Sequence, residues 1–263
     1  MSSKKQTRVY CFFGAILYGM ASLYESKQCY EIKAKAPEIN IICTSMIPMW
    51  LPIEISLLTE WTIFFIQFII IQFALIPAGS ICFLIWEVAD MLILHIELLK
   101  VTLQNIMQEK RGYKRRKLLI LWISYHLQVL KIIKEFNFLT KTCMGLFSLM
   151  AALVFACITN QVVNMNKLIG ACIHLVGWLI ALYMLCNAGQ TIQDGTESIG
   201  MAAYNSKWYT VDIDTQKAVL FIIKQCQKPL YLQALPLGEL NHALMLMIIK
   251  TSYSFLTLLT HST

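Results

Sequence analysis

Between Glu60 and Glu87 the chain carries no Asp, Glu, Lys or Arg, and charged residues fill only 14% of its 263 positions. Soluble domains carry about 25% charged residues, so this scarcity argues for lipid as the solvent. Nine cysteines include no C-x-x-C pair, and Cys11, Cys82, Cys157, Cys172 and Cys186 lie inside apolar runs. That excludes the usual zinc and dithiol motifs and makes these thiols small packing residues. There is no G-x-S-x-G, H-E-x-x-H, P-loop or G-x-G-x-x-G, and His95, His126, His174, His242 and His261 are scattered singly. No catalytic residue, metal or cofactor is expected, and the chain is not read as an enzyme.

What the chain does have is apolar length. It is 57% hydrophobic, with a mean hydropathy of +0.60. Spanning a bilayer takes about 20 apolar residues, and five segments qualify or nearly so: 9–24, 56–88, 139–159, 168–188 and 240–259. The first is short and follows Lys4, Lys5 and Arg8, but its single small-residue cleavage candidate, Gly19-x-Ala21, favours a retained span over a removed signal. An all-α, polytopic membrane protein is the expected fold.

The net charge of +7 does not point to nucleic acid, because the basic residues gather between the apolar runs. Ten lie in residues 97–141, three in the amino-terminal tail and four in 189–239, against three in 25–55 and one, Lys167, in the third connection. The positive-inside rule therefore predicts a cytoplasmic amino terminus and, with five spans, a carboxyl terminus outside. Cys29 and Cys43 share the 25–55 connection and are free to bridge if it is extracellular; spacing alone leaves the pairing open.

Apolar residues continue past the second span at Val88, Leu92, Ile96, Leu99, Leu103 and Ile106, three or four apart, while Asp90, Glu97, Lys100 and Gln104 take the other face. One helix over 57–106 would reach roughly 75 Å, far beyond the hydrocarbon. Pro77 is expected to kink this helix without ending it. Gly112 breaks the chain, KRGYKRRK (110–117) forms a basic turn facing anionic lipid, and a second long helix follows. An amphipathic stripe projecting into water needs a partner, so a helical part about 90–138 and 190–250 is expected inside the cell.

Two constellations stand out. Tyr18, Ser22, Phe64, Gln67, Phe68, His174 and Trp178 sit in the expected outer halves of three spans, where they either line a pocket for a small volatile molecule or form an aromatic belt with ordinary packing. In the last span Ser252, Leu256 and Thr260 share a stripe at i, i+4 and i+8. It either packs hydroxyls against neighbours or borders water, with Leu256 as a constriction. Lys250 would cost ~2.5–3.5 kcal/mol at a bilayer centre, so a break near it, with the inner half of the helix outside the membrane, is expected.

GQTIQDGTESIGMAAYNSKW (189–208), KAVLFIIKQCQKPLYLQALPLGELN (217–241) and IIKTSYSFLTLL (248–259) then follow one another. Their Gly-Gln, Ser, Ala-x-Tyr, Trp, Gln-Lys-Pro-Leu and Ser-Tyr-Ser series resembles that of the insect odorant receptors. MWLPIEISLLTEWTIFFIQ (49–67) is similar to the segment opening that family's fourth membrane helix. The resemblance implies a ligand-gated, non-selective cation channel of four subunits in the plasma membrane, formed with an olfactory co-receptor. Trp208, Gln227, Lys228, Pro229 and Leu230 would belong to an intracellular anchor domain. By the Ser-Tyr-Ser register Leu256 and Thr260 would face the pore, Leu256 at its gate. Family members have seven spans, and this chain begins near the family's third, as expected of an incomplete gene model or a truncated receptor of doubtful competence. A gustatory-type receptor channel is the alternative within the superfamily, although Ser252, Tyr253 and Ser254 stand where a Thr-Tyr-Phe series would be expected. A transporter would need inverted repeats, which are not found.

Overall fold

The computed structural model describes residues 2–35, 42–46, 56–163 and 168–261. They form six α-helices: α1 (Ser2–Lys35), α2 (Leu57–Gln108), α3 (Gly112–Val163), α4 (Leu168–Tyr204), α5 (Ile213–Cys226) and α6 (His242–His261). A 3-10 turn, Trp208–Thr210, precedes α5, and a two-stranded ribbon of β1 (Gln233–Ala234) and β2 (Gly238–Glu239) precedes α6. The strands are antiparallel, with Gln233 opposite Glu239 and Ala234 opposite Gly238.

The fold is all-α, as expected, and three described helical stretches are long and apolar enough to cross a membrane: Leu57–Gln108, Gly112–Thr159 and Leu168–Thr210. α2 passes through Pro77 without a break. α1 continues at both ends beyond the 9–24 run. One expectation needs correction: α6 does not break at Lys250. The cause is local: nothing from 242 to 261 is Pro or Gly, and the hydroxyls in the helix bond back to their own backbone. Ser252 donates to the Ile248 carbonyl at 2.8 Å, Ser254 to that of Lys250 at 3.2 Å and Thr257 to that of Ser254 at 2.8 Å. Back-bonding of this kind lets Ser and Thr sit in a helix with their polarity satisfied.

The chain divides into two compact units, one comprising Met1–Leu84, Ala151–Leu182 and Ile248–Thr263, the other Ile85–Met150 and Tyr183–Met247. In the first unit α1 buries a face of small residues, Cys11, Ala15, Gly19, Ser22 and Ser26, spaced three or four apart. Small side chains let helix backbones approach closely, and Cys11 Sγ donates to the Leu75 carbonyl of α2 at 3.5 Å.

In the second unit the amphipathic reading of α2 holds: Leu92, Ile96, Leu99, Leu103 and Ile106 are buried, while Asp90, Glu97 and Gln104 are exposed. Leu119, Trp122, Val129 and Ile133 of α3 are buried in the same unit. Each such aliphatic side chain contributes about 1.5–3 kcal/mol on full burial. Trp122 adds direction, its indole N–H donating to the Leu99 carbonyl at 2.8 Å.

The segment between α5 and α6 lies close to two helices of this unit. A Cβ on Gly145 would lie 1.5 Å from the Leu235 carbonyl oxygen, and one on Gly189 would lie 1.9 Å from that of Leu240. Only glycine admits backbone this near. The Leu235 N–H donates to the Lys141 carbonyl at 3.1 Å, and Asn137 Oδ1 accepts the Gln233 N–H at 2.7 Å.

Candidate functional site

The seven residues expected to meet a ligand all fall in the first unit. The five on α1 and α2 gather around one short segment, residues 42–46. Ile42, Cys43, Thr44, Ser45 and Met46 are each buried, which is unusual for a connection, because buried backbone without helix or sheet partners must find others. Here the candidate site supplies them. Met46 N–H donates to Gln67 Oε1 at 2.8 Å, Tyr18 donates its hydroxyl to the Met46 carbonyl at 3.1 Å, and Ser22 donates to the Ser45 carbonyl at 2.7 Å. Met46, Phe64 and Phe68 close around Gly19.

The α4 residues join from the other side of Tyr18. The Tyr18 and His174 rings lie 5.5 Å apart at 55°, and Trp178 Nε1 donates to His174 Nε2 at 2.9 Å. With Nε2 accepting, the neutral imidazole carries its proton on Nδ1. The start of α4 is held by Glu25, whose carboxylate accepts the Ile169 N–H at 2.6 Å. Phe64 forms edge-to-face contacts with Trp61 at 5.9 Å and Phe65 at 5.8 Å.

A disulfide whose pairing the sequence left open, and a carboxylate that no sequence pattern singled out, secure the segment. Cys29 and Cys43 form a disulfide, 14 residues apart in sequence. Beside it the buried carboxylate of Glu60 accepts from Tyr30 Oη at 2.6 Å, from Thr44 Oγ1 at 3.3 Å and from Lys33 Nζ at 3.3 Å. Burial and the Glu60 carboxylate push the Tyr30 phenol above its usual range. Two cysteines flanking a Tyr, and a lone Glu opening an apolar helix, were the available signals.

In the last helix Ser252 is buried, and besides Ile248 its hydroxyl reaches the Ala152 carbonyl of α3 at 3.2 Å. This hydroxyl packs against protein. The side chains of Leu256 and Thr260 lie outside the described residues. Lys250 is exposed on α6.

Trp208, Gln227, Lys228, Pro229 and Leu230 all lie in the second unit. Gln227 is the C-cap of α5. Leu230 is clamped through its backbone by Thr196, which receives the Leu230 N–H at 3.1 Å. At the other end of α5, Asp212 caps the helix by accepting the Thr215 N–H at 3.2 Å. Arg115 donates to the same carboxylate at 2.5 Å, and Arg116 reaches Asp214 at 2.8 Å. Arg115 and Thr215 hold the Asp212 carboxyl well below the usual carboxylate range, against a smaller upward pull from burial.

A protein-family model described as 7tm Odorant receptor matches residues 6–253. The chain belongs to the odorant receptor family. This family is not one of enzymes. Odorant receptor 85c of Drosophila melanogaster is 24% identical over 179 residues, covering 67% of this chain and 46% of that receptor. Odorant receptor 67a of the same fly is 32% identical over 83 residues, 32% of this chain and 20% of that receptor. The chain thus spans less than half the length of these relatives. The insect olfactory receptor OR5 from Machilis hrabei, solved in complex with eugenol, superposes with a TM-score of 0.70 at 12% identity, covering 100% of this chain and 69% of that one. A second OR5 structure gives a TM-score of 0.69 at 13% identity. At such identity the likeness concerns the fold alone.

Proposed function

We propose that this chain is the ligand-binding part of an odorant receptor subunit of the plasma membrane, opening a non-selective cation pore in a tetramer with the olfactory co-receptor. Membership of the odorant receptor family supports the receptor class. The observation that carries the ligand reading is that Tyr18, Ser22 and Gln67 bond one buried segment, Phe64 and Phe68 lie with Met46 around Gly19, and His174 and Trp178 extend the set from Tyr18. Aromatic walls with a few fixed polar groups suit a small volatile molecule, whose oxygen would compete for the partners now holding residues 42–46. In this reading the amino terminus is cytoplasmic, the carboxyl terminus is extracellular, the second unit is the intracellular anchor, and Leu256 and Thr260 border the pore. Neither nucleic acid nor a cofactor takes part, and the other surroundings are lipid.

The test is co-expression with the co-receptor and measurement of membrane current. Odorant-evoked cation current is expected, with the dose-response displaced by Gln67→Leu at unchanged surface level. A silent complex across a broad odorant panel, from this chain and from a version extended to family length, overturns the reading. An externally accessible amino-terminal tag in intact cells overturns the orientation.

A further inference from the structure

The second unit holds an open groove of about 640 Å³, within the 300–1,000 Å³ typical of small-molecule sites. Next to it lies a narrower cavity of about 20 Å³, enough for one water or one ligand oxygen. Lys134 of α3, with Gln225, Lys228 and Leu230, borders both. Neither lysine has an ion-pair partner among the described residues.

The small cavity is lined by His126, which is 4% exposed. Its ring stacks obliquely on Trp122 at 5.0 Å, and its Nε2 is buried with no hydrogen-bond partner among the described residues. Burial depresses the imidazole pKa, and the neutral ring offers Nε2 as a donor or an acceptor according to its tautomer. A buried, unpartnered polar nitrogen costs about 1–3 kcal/mol, a cost that a ligand atom relieves. The groove wall is rich in donors. Asn137 already has its Oδ1 occupied by the Gln233 N–H, which leaves its NH2 group, and Gln193 and Gln225 add amides. The one carboxylate at the wall, Glu239, lies 3.5 Å from Asn241 Nδ2.

We propose that this groove binds a phosphate-bearing small anion, seated between Lys134 and Lys228 with one oxygen in the His126 cavity. Paired ammonium groups and neutral amides suit a ligand with several acceptor oxygens, and the unpartnered His126 Nε2 can donate to one of them in its Nε2–H tautomer. The site is independent of the odorant-binding residues, and its success or failure leaves that reading untouched.

The test titrates the full chain, purified in detergent, with soluble inositol trisphosphate and with inorganic phosphate, and separately with phosphatidylcholine vesicles with and without phosphoinositide. Saturable binding is expected, weakened roughly tenfold or more in Lys134→Gln/Lys228→Gln. Both lysines are exposed, so the double variant is expected to melt like the parent. Lys131→Gln/Lys141→Gln, on the same helix but outside the groove, is expected to bind normally. Binding of the soluble headgroup identifies a free metabolite as ligand, and binding of phosphoinositide vesicles alone identifies a lipid. No binding in either arm, equal binding by Lys134→Gln/Lys228→Gln, or equal weakening by the control pair overturns the proposal.

Discussion

Gln67 Oε1 accepts the Met46 N–H at 2.8 Å, and the hydroxyl of Tyr18 reaches the carbonyl of that same Met46 at 3.1 Å. An amide on α2 and a phenol on α1 thus satisfy the two backbone groups of one buried residue. Gln67→Leu removes the acceptor and leaves the N–H orphaned, a loss of about 1–3 kcal/mol. The melting temperature in detergent is expected to fall accordingly. An unchanged melt would uncouple Gln67 from the segment.

Reduction of Cys29–Cys43 is expected to act on the same segment. Closing a loop of this length stabilises by about 3 kcal/mol, chiefly through the unfolded chain. Cys29→Ser should lower the melting temperature and make protease cleavage near residue 43 faster. In cells, a membrane-impermeant reductant should reproduce the effect if the connection is extracellular, and fail if it is cytoplasmic.

Asp212 gives a pH signature. Its folded pKa lies below the unfolded value of about 3.9, because of Arg115 and Thr215. The stabilisation is therefore complete above that unfolded value and is lost as pH falls through the folded one. Asp212→Ala should destabilise the protein by about 0.5–2 kcal/mol at neutral pH, the usual worth of a cap. The gap between parent and variant should stay constant from pH 7 to 5 and narrow only in strong acid. A gap already closing at pH 6 would assign the effect to another group.

Much of the fold was legible because it is written locally. The stripe Leu92, Ile96, Leu99, Leu103 repeats at helical spacing, while the break between the two long helices falls at 109–111, so that residues 112–117, expected in the turn, already belong to α3. Pro77 could be placed inside α2 because it frees a single carbonyl, which a membrane helix tolerates when other groups satisfy it. The candidate site was legible only as a set of residue types. That Tyr18, Ser22 and Gln67 meet the backbone of 45–46 depends on how a segment outside any helix folds back, and no periodicity encodes that. Arg115 and Asp212 lie 97 residues apart, so no local pattern joins them. Lys250 misled at α6: its cost in lipid suggested a break, whereas the helix runs on through it, with Ser252, Ser254 and Thr257 bonding back within it.

For the proposed pore, Leu256→Ala is expected to raise current in the absence of odorant, because a smaller side chain widens and wets a hydrophobic constriction. Ser252→Ala should leave conduction alone and instead cost stability, since its hydroxyl bonds to Ala152 and Ile248. Single-channel recording distinguishes the two. Equal leak from both variants would place the constriction elsewhere.

Gly189→Ala and Gly145→Ala should each lower the yield of folded protein, with overpacking penalties of about 1–3 kcal/mol or more, since the obstructing atom is backbone. Gly177→Ala, with nothing within 4 Å of the added carbon, is the matched control and should be neutral.

These two tight seats also limit how the chain can diverge over time. Elsewhere on α3 and α4 one aliphatic side chain can be exchanged for another through small compensations. At 145 and 189 every alternative adds a carbon where a carbonyl already sits, so drift there has no intermediate step.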